Sequence, residues 1–152
     1  MGRILSEAVT ACVAGVPVLN PELERLTWDT RSRARGGPVL ADETVVWVDV
    51  PRVDALWRGN RVGPGGEGGI AGRYPRFVAF LEEGVPIRPP SIYLVGDRRG
   101  KVIMFEDGRH RFAVLRDLGL DRMPVVVMRD QAAELEGLVG VGDPSLKRRL
   151  MR

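Results

Sequence analysis

The chain has 152 residues, 44% of them hydrophobic, which suits the core of one domain with tails. A net charge of +3 permits a nucleotide or nucleic-acid partner without demanding one. Cys12 is the single cysteine, which excludes an intramolecular disulfide and a cysteine-rich metal site and suits the reducing cytoplasm.

No apolar run approaches the roughly 20 residues that span a bilayer, so no membrane partner is expected. The run 8-AVTACVAGVPVL-19 has only Arg3 as a basic start and Glu7 interrupting it, too little for a secretion signal. Residues 4–16 fit a short amphipathic helix, and 21-PELERL-26 opens another helical turn with Pro at its first position. The segment 29-DTRSRARGG-37 is polar and basic and reads as surface chain. Gly and Pro account for 30 residues, 19 and 11, a local excess that places long loops between ordered elements.

The first clear strand is 44-TVVWVDV-50, rich in β-branched residues and ended by Pro51; a short helix, 52-RVDALW-57, follows. The stretch 59-GNRVGPGGEGGIAGR-73 contains seven glycines in fifteen residues and reads as a flexible loop. It lacks the Gly-Lys-[Ser/Thr] of a Walker loop, but with Arg61 and Arg73 at its edges it could cover a ligand as a lid. In 74-YPRFVAFLEEG-84, Phe77, Phe80 and Leu81 recur at helical spacing, and Gly84 provides the stop. Strands 91-SIYLVG-96 and 101-KVIMFED-107 are expected to form a hairpin across 97-DRRG-100. Helix 109–118, strand 124-PVVVM-128 and a helical tail at 130–138 complete the pattern, and 147-KRRLMR-152 is a basic end.

This order predicts an α+β domain: a small mixed sheet with packed helices over residues 44–129. A helical and loop extension (1–43) precedes it, and a helical tail (130–152) follows.

The densest chemistry lies in 106-EDGRHR-111. Asp107 suits an N-cap for helix 109–118, and Gly108 lets another group approach the backbone. The first helical turn attracts anions, yet Arg109 and Arg111 are cations placed where the helix dipole disfavours them, by roughly 0.3–1 kcal/mol each. Two arrangements explain this. In one, Glu106 and Asp107 pair with Arg109 and Arg111, and His110 is structural. In the other, a phosphate neutralises the turn, and Phe112, Leu115 and Leu118 pack the helix on the sheet so that its N-terminus stays fixed. Magnesium-dependent phosphoryl transfer or phosphodiester cleavage would call on Glu106 or Asp107 for metal binding or as a base. Trp28, Trp47 and Trp57 are scattered, which favours packing over base stacking.

The ordered set from strand 44–50 through 74-YPRFVAFLEEGVPIRPPSIYLV-95, DGRHR, FAVLRDLGL and MPVVV resembles the ParB/sulfiredoxin superfamily over residues 44–128. The resemblance implies a phosphate-binding turn at Gly108, Arg109, His110 and Arg111, with ATP or CTP as ligand and magnesium as companion. Arg109 stands where sulfiredoxins carry their reactive cysteine, so that redox chemistry is excluded. Only 24 residues follow strand 124–128, too few for the DNA-binding and dimerisation regions of ParB segregation proteins. The resemblance thus implies a free-standing nucleotide-binding domain, an NTPase or phosphotransferase among them. A DNA-binding protein or metal-dependent nuclease, and a non-catalytic interaction module, are the alternatives.

Overall fold

The computed structural model describes residue 23 and residues 26–97 and 99–143. The expected helix at 4–16 and the basic end at 147–152 lie outside the described residues, as does most of the turn at 21–26. The elements run β1 (Glu43–Asp49), α1 (Val50–Leu56), a 3-10 turn (Pro64–Gly66), α2 (Arg73–Glu82), β2 (Ser91–Asp97), β3 (Gly100–Asp107), α3 (Arg109–Asp117), β4 (Arg122–Met128) and α4 (Arg129–Val139). This is the expected α+β architecture.

The four strands form one mixed sheet in the order β1–β4–β2–β3. β1 and β4 are antiparallel, with Val46 opposite Val125, and β2 and β3 form the expected antiparallel hairpin. β4 meets β2 in parallel where Ser91 faces Val126. Beyond that point β2 leaves β4, and Leu94 would be left with an unpaired N–H and C=O. Gln131 of α4 satisfies both: its Oε1 accepts from the Leu94 amide at 3.0 Å, and its Nε2 donates to the Leu94 carbonyl at 3.0 Å. Along β4, Met123, Val125, Val126 and Val127 are all buried. Consecutive burial means that both faces are covered, which is why this strand reads as a continuous apolar run.

Helix α1 begins earlier than expected, at Val50. Asp49 caps it by accepting from the Arg52 amide at 2.9 Å, and Pro51 occupies its first turn, where a missing N–H costs nothing. Helix α3 buries Phe112, Ala113, Val114 and Leu115, and Leu118 just beyond it is buried too, so the stripe read from the sequence packs as expected. Phe112 meets Phe105 of β3 and Trp57, with ring centroids 4.9 and 5.6 Å apart. Trp57 is fully buried, and Trp28 is partly buried against the same core.

Two local expectations fail. Asp107 does not cap α3. It is the last residue of β3, and the N-cap is Gly108, in the left-handed conformation at φ 82°, ψ 17°, with no side-chain cap. The chain must reverse against Pro90, and a Cβ on Gly108 would lie 2.7 Å from Pro90 Cβ, so the position accepts only glycine without strain. The glycine-rich stretch 59–73 is not a loose loop. Val62 is fully buried, and the segment is tied down by the contacts described below.

Candidate functional site

The β3–α3 turn opens into a cleft of about 590 Å³. Glu106, Asp107, Gly108, Arg109, His110 and Arg111 contribute one side, so the structure gathers all six charged or permissive residues of the turn in one place. Ala34 and Arg35 come from the basic segment, Asn60 and Ile70 from the glycine-rich strap, Arg73 and Phe77 from α2, and Phe105 from β3. The cleft thus combines cations with an apolar wall of Ile70, Phe77 and Phe105.

Each predicted residue has a definite setting. Arg109 Nη1 donates to the Asn60 carbonyl at 2.6 Å, which holds the guanidinium at the cleft and leaves its other N–H groups for an anion. Arg111 is a brace. Its Nη1 donates to the Arg88 carbonyl at 2.6 Å, and its guanidinium lies over Phe77 at 4.9 Å and Phe80 at 5.9 Å. Burial lowers its pKa from the ordinary arginine value; Asp107 opposes that shift and Arg88 adds to it. His110 is buried, and its Nε2 accepts from the Ile70 amide at 2.8 Å. The ring proton of the neutral imidazole therefore belongs on Nδ1. Burial lowers the His110 pKa, helped by the cations of Arg109 and Arg73.

Arg73 lines the cleft, but Arg61 does not. Arg61 Nη1 donates to the carbonyls of Asp54 (2.7 Å) and Trp57 (3.0 Å), and its Nη2 pairs with the Asp54 carboxylate at 3.0 Å. Its guanidinium lies 5.0 Å from the Trp57 ring centroid. It therefore anchors the start of the strap to α1. Arg116 joins that network, bonded to Asp54 and Asp117 at 3.0 Å each.

Neither Glu106 nor Asp107 forms an ion pair with Arg109 or Arg111, and among the described residues Arg35, Arg73, Arg109 and Arg111 are in no salt bridge. An ion-paired turn is therefore not what these residues build. The Oδ2 atom of Asp107 is buried with no hydrogen-bond partner among the described residues. Helix α3 has no side-chain cap, so its first-turn amides have no intrahelical acceptor. Among the described residues no group of three or more His, Cys, Asp or Glu side chains could hold a metal unaided.

Arg35, Asn60, Phe77 and Phe105 were not recognised as site residues from the sequence. Arg35 carried one signal, its place in a basic segment, but nothing local links residue 35 to residue 109. No described helix is long and apolar enough to cross a membrane.

Fold and cleft together define a small α+β domain with a cationic cleft at a strand-to-helix turn. The chain matches no protein-family profile and no curated protein. Among solved structures it is similar to the crystal structure of the Oncogenic Suppression Activity protein, a plasmid fertility inhibition factor. The two share 16% sequence identity with a TM-score of 0.57, covering 99% of this chain and 92% of that one. The likeness is one of fold.

Proposed function

We propose that this is a cytoplasmic nucleotide-binding domain that holds the phosphates of ATP or CTP, with magnesium, at the N-terminus of α3. The observation that carries the reading is the set of four cleft arginines, Arg35, Arg73, Arg109 and Arg111, in no salt bridge among the described residues and set beside an uncapped helix end. Anionic phosphate supplies what both features lack. Arg73 and Arg109 supply charge-assisted donors, and His110 offers its Nδ1–H, beside the Gly108 turn. Arg111 keeps the turn in place.

The residues also fit the rest of a nucleotide. Ile70, Phe77 and Phe105 offer apolar surface for a base. Magnesium is commonly held by one or two carboxylates together with phosphate oxygens, and Glu106 and Asp107 are the carboxylates at hand. The same pair could take a proton from an attacking hydroxyl in phosphoryl transfer. A concave cleft of about 590 Å³ suits a small molecule better than a duplex backbone, which favours this reading over DNA binding.

Calorimetric titration of the chain with ATP, CTP and pyrophosphate, each with magnesium at low salt, tests the proposal. We expect saturable binding that weakens as salt rises. Silence with all three ligands rejects it.

A further inference from the structure

Two backbone amides of the glycine-rich strap are held by different chemistry. At its 3-10 turn, Asp117 accepts from the Gly65 amide at 3.0 Å and from the Tyr74 hydroxyl at 2.6 Å. At its far end, His110 Nε2 accepts from the Ile70 amide at 2.8 Å. The second tie depends on very close packing. A Cβ on Gly69 would lie 2.8 Å from His110 Nε2 and 2.9 Å from Cδ2. Ile70 is itself part of the cleft wall. We propose that His110 is a latch on this strap, and that protonating it frees the Gly69–Ile70 end and opens one wall of the cleft.

The geometry sets the direction. A neutral imidazole accepts at Nε2, whereas an imidazolium carries a proton there and faces the Ile70 N–H donor to donor. The Gly65 amide is held by Asp117 and makes no bond to the imidazole, so the 3-10 end keeps its tie and the release is local. The charged groups around the cleft are Arg73 from α2, Arg35 from the basic segment, Glu106 and Asp107 from β3, and Arg109 and Arg111 from α3 itself; the strap's other charged residues, Glu67 and Arg61, do not line it. Burial, with Arg109 and Arg73, holds the His110 pKa below its ordinary value. The neutral form is thus the folded form, and its stabilisation is complete above the unfolded pKa of roughly 6.5. It is lost as pH falls from there through the lower folded value. This deepens the reading of the cleft as a ligand site, because the wall that moves is a wall of that site. Its test uses no ligand, so the two can fail separately.

His110 is the single histidine of the chain, so its imidazole resonances are unambiguous by NMR. In the ligand-free protein we expect the Nδ1–H tautomer at neutral pH and a titration midpoint below that of a free histidine. The Ile70 amide shift should follow the same midpoint. Below it, hydrogen exchange at Gly69 and Ile70, corrected for intrinsic rate, should rise about tenfold, as expected for the loss of one hydrogen bond of ordinary strength. Exchange at Gly65 should not change over that range. A Gly69→Ala protein should exchange fast at Ile70 even at neutral pH, with its His110 midpoint moved back up. An Nε2–H tautomer, an Ile70 amide indifferent to the His110 titration, or strap exchange independent of pH would overturn the proposal. The wild-type titration needs no variant, so a Gly69→Ala protein that failed to fold would leave the test intact.

Discussion

A Gly108→Ala protein should be less stable than the wild type by about 2–4 kcal/mol, combining a left-handed residue with overpacking against a neighbour. For a chain of this size that corresponds to a melting temperature lower by roughly 6–12 °C. Two separate costs contribute. The backbone at Gly108 has φ 82°, which L-residues adopt with strain, and the added methyl would meet Pro90 Cβ at 2.7 Å and Cα at 2.9 Å. Pro90 cannot rotate away, because its carbonyl accepts from the Val126 amide at 2.8 Å and so belongs to the β2–β4 junction. Gly137→Ala is the matching control: it lies within α4, and nothing stands within 4 Å of its added methyl. That variant should be neutral or slightly more stable, by about 0.5–1 kcal/mol. Thermal unfolding followed by circular dichroism separates the two. Equal melting temperatures for Gly108→Ala and the wild type would show that the turn is not held in the way described.

The double reversal Arg73→Glu/Arg109→Glu should weaken triphosphate binding by at least about a hundredfold at low salt, since each hydrogen bond to a charged group contributes about 1.5–3 kcal/mol. The two arginines reach the cleft from different elements, α2 and the start of α3, so both must be present for the cationic surface to close around an anion. Arg111 is the less informative target, because removing it also removes the brace to the Arg88 carbonyl and the stacking on Phe77. The control is Arg52→Glu/Arg122→Glu, which changes the net charge equally but lies outside the cleft. Calorimetry at matched ionic strength reads both. If the control loses as much affinity as the cleft variant, binding follows net charge alone and the cleft is not its site.

The parts of the fold that could be read in the sequence are those specified by neighbours along the chain. The β-branched run at 44–50, the i, i+3, i+4 spacing of Phe77, Phe80 and Leu81, and the Phe112–Leu115–Leu118 stripe each state their period within one element. Asp107 shows where that logic stops. An aspartate before a helix is a good cap, but the adjacent glycine offers a left-handed reversal, and Pro90, distant in sequence, decides between them. The glycine-rich strap fails for a related reason. Its composition describes an unpartnered chain, whereas its partners, His110 and Asp117, lie 40 and 52 residues from the amides they accept from. The turn itself was legible because its residues are contiguous. Arg35 and the bracing role of Arg111 were not, since both depend on which elements the sheet brings together.

A crystal structure of the chain with magnesium and a non-hydrolysable ATP or CTP analogue would locate the phosphates. We expect a phosphate within about 3 Å of the first-turn amides of α3 and of the Arg109 guanidinium. A crystal saturated with the analogue that shows the phosphates bound elsewhere, or the Gly108 turn without an anion, would contradict this expectation.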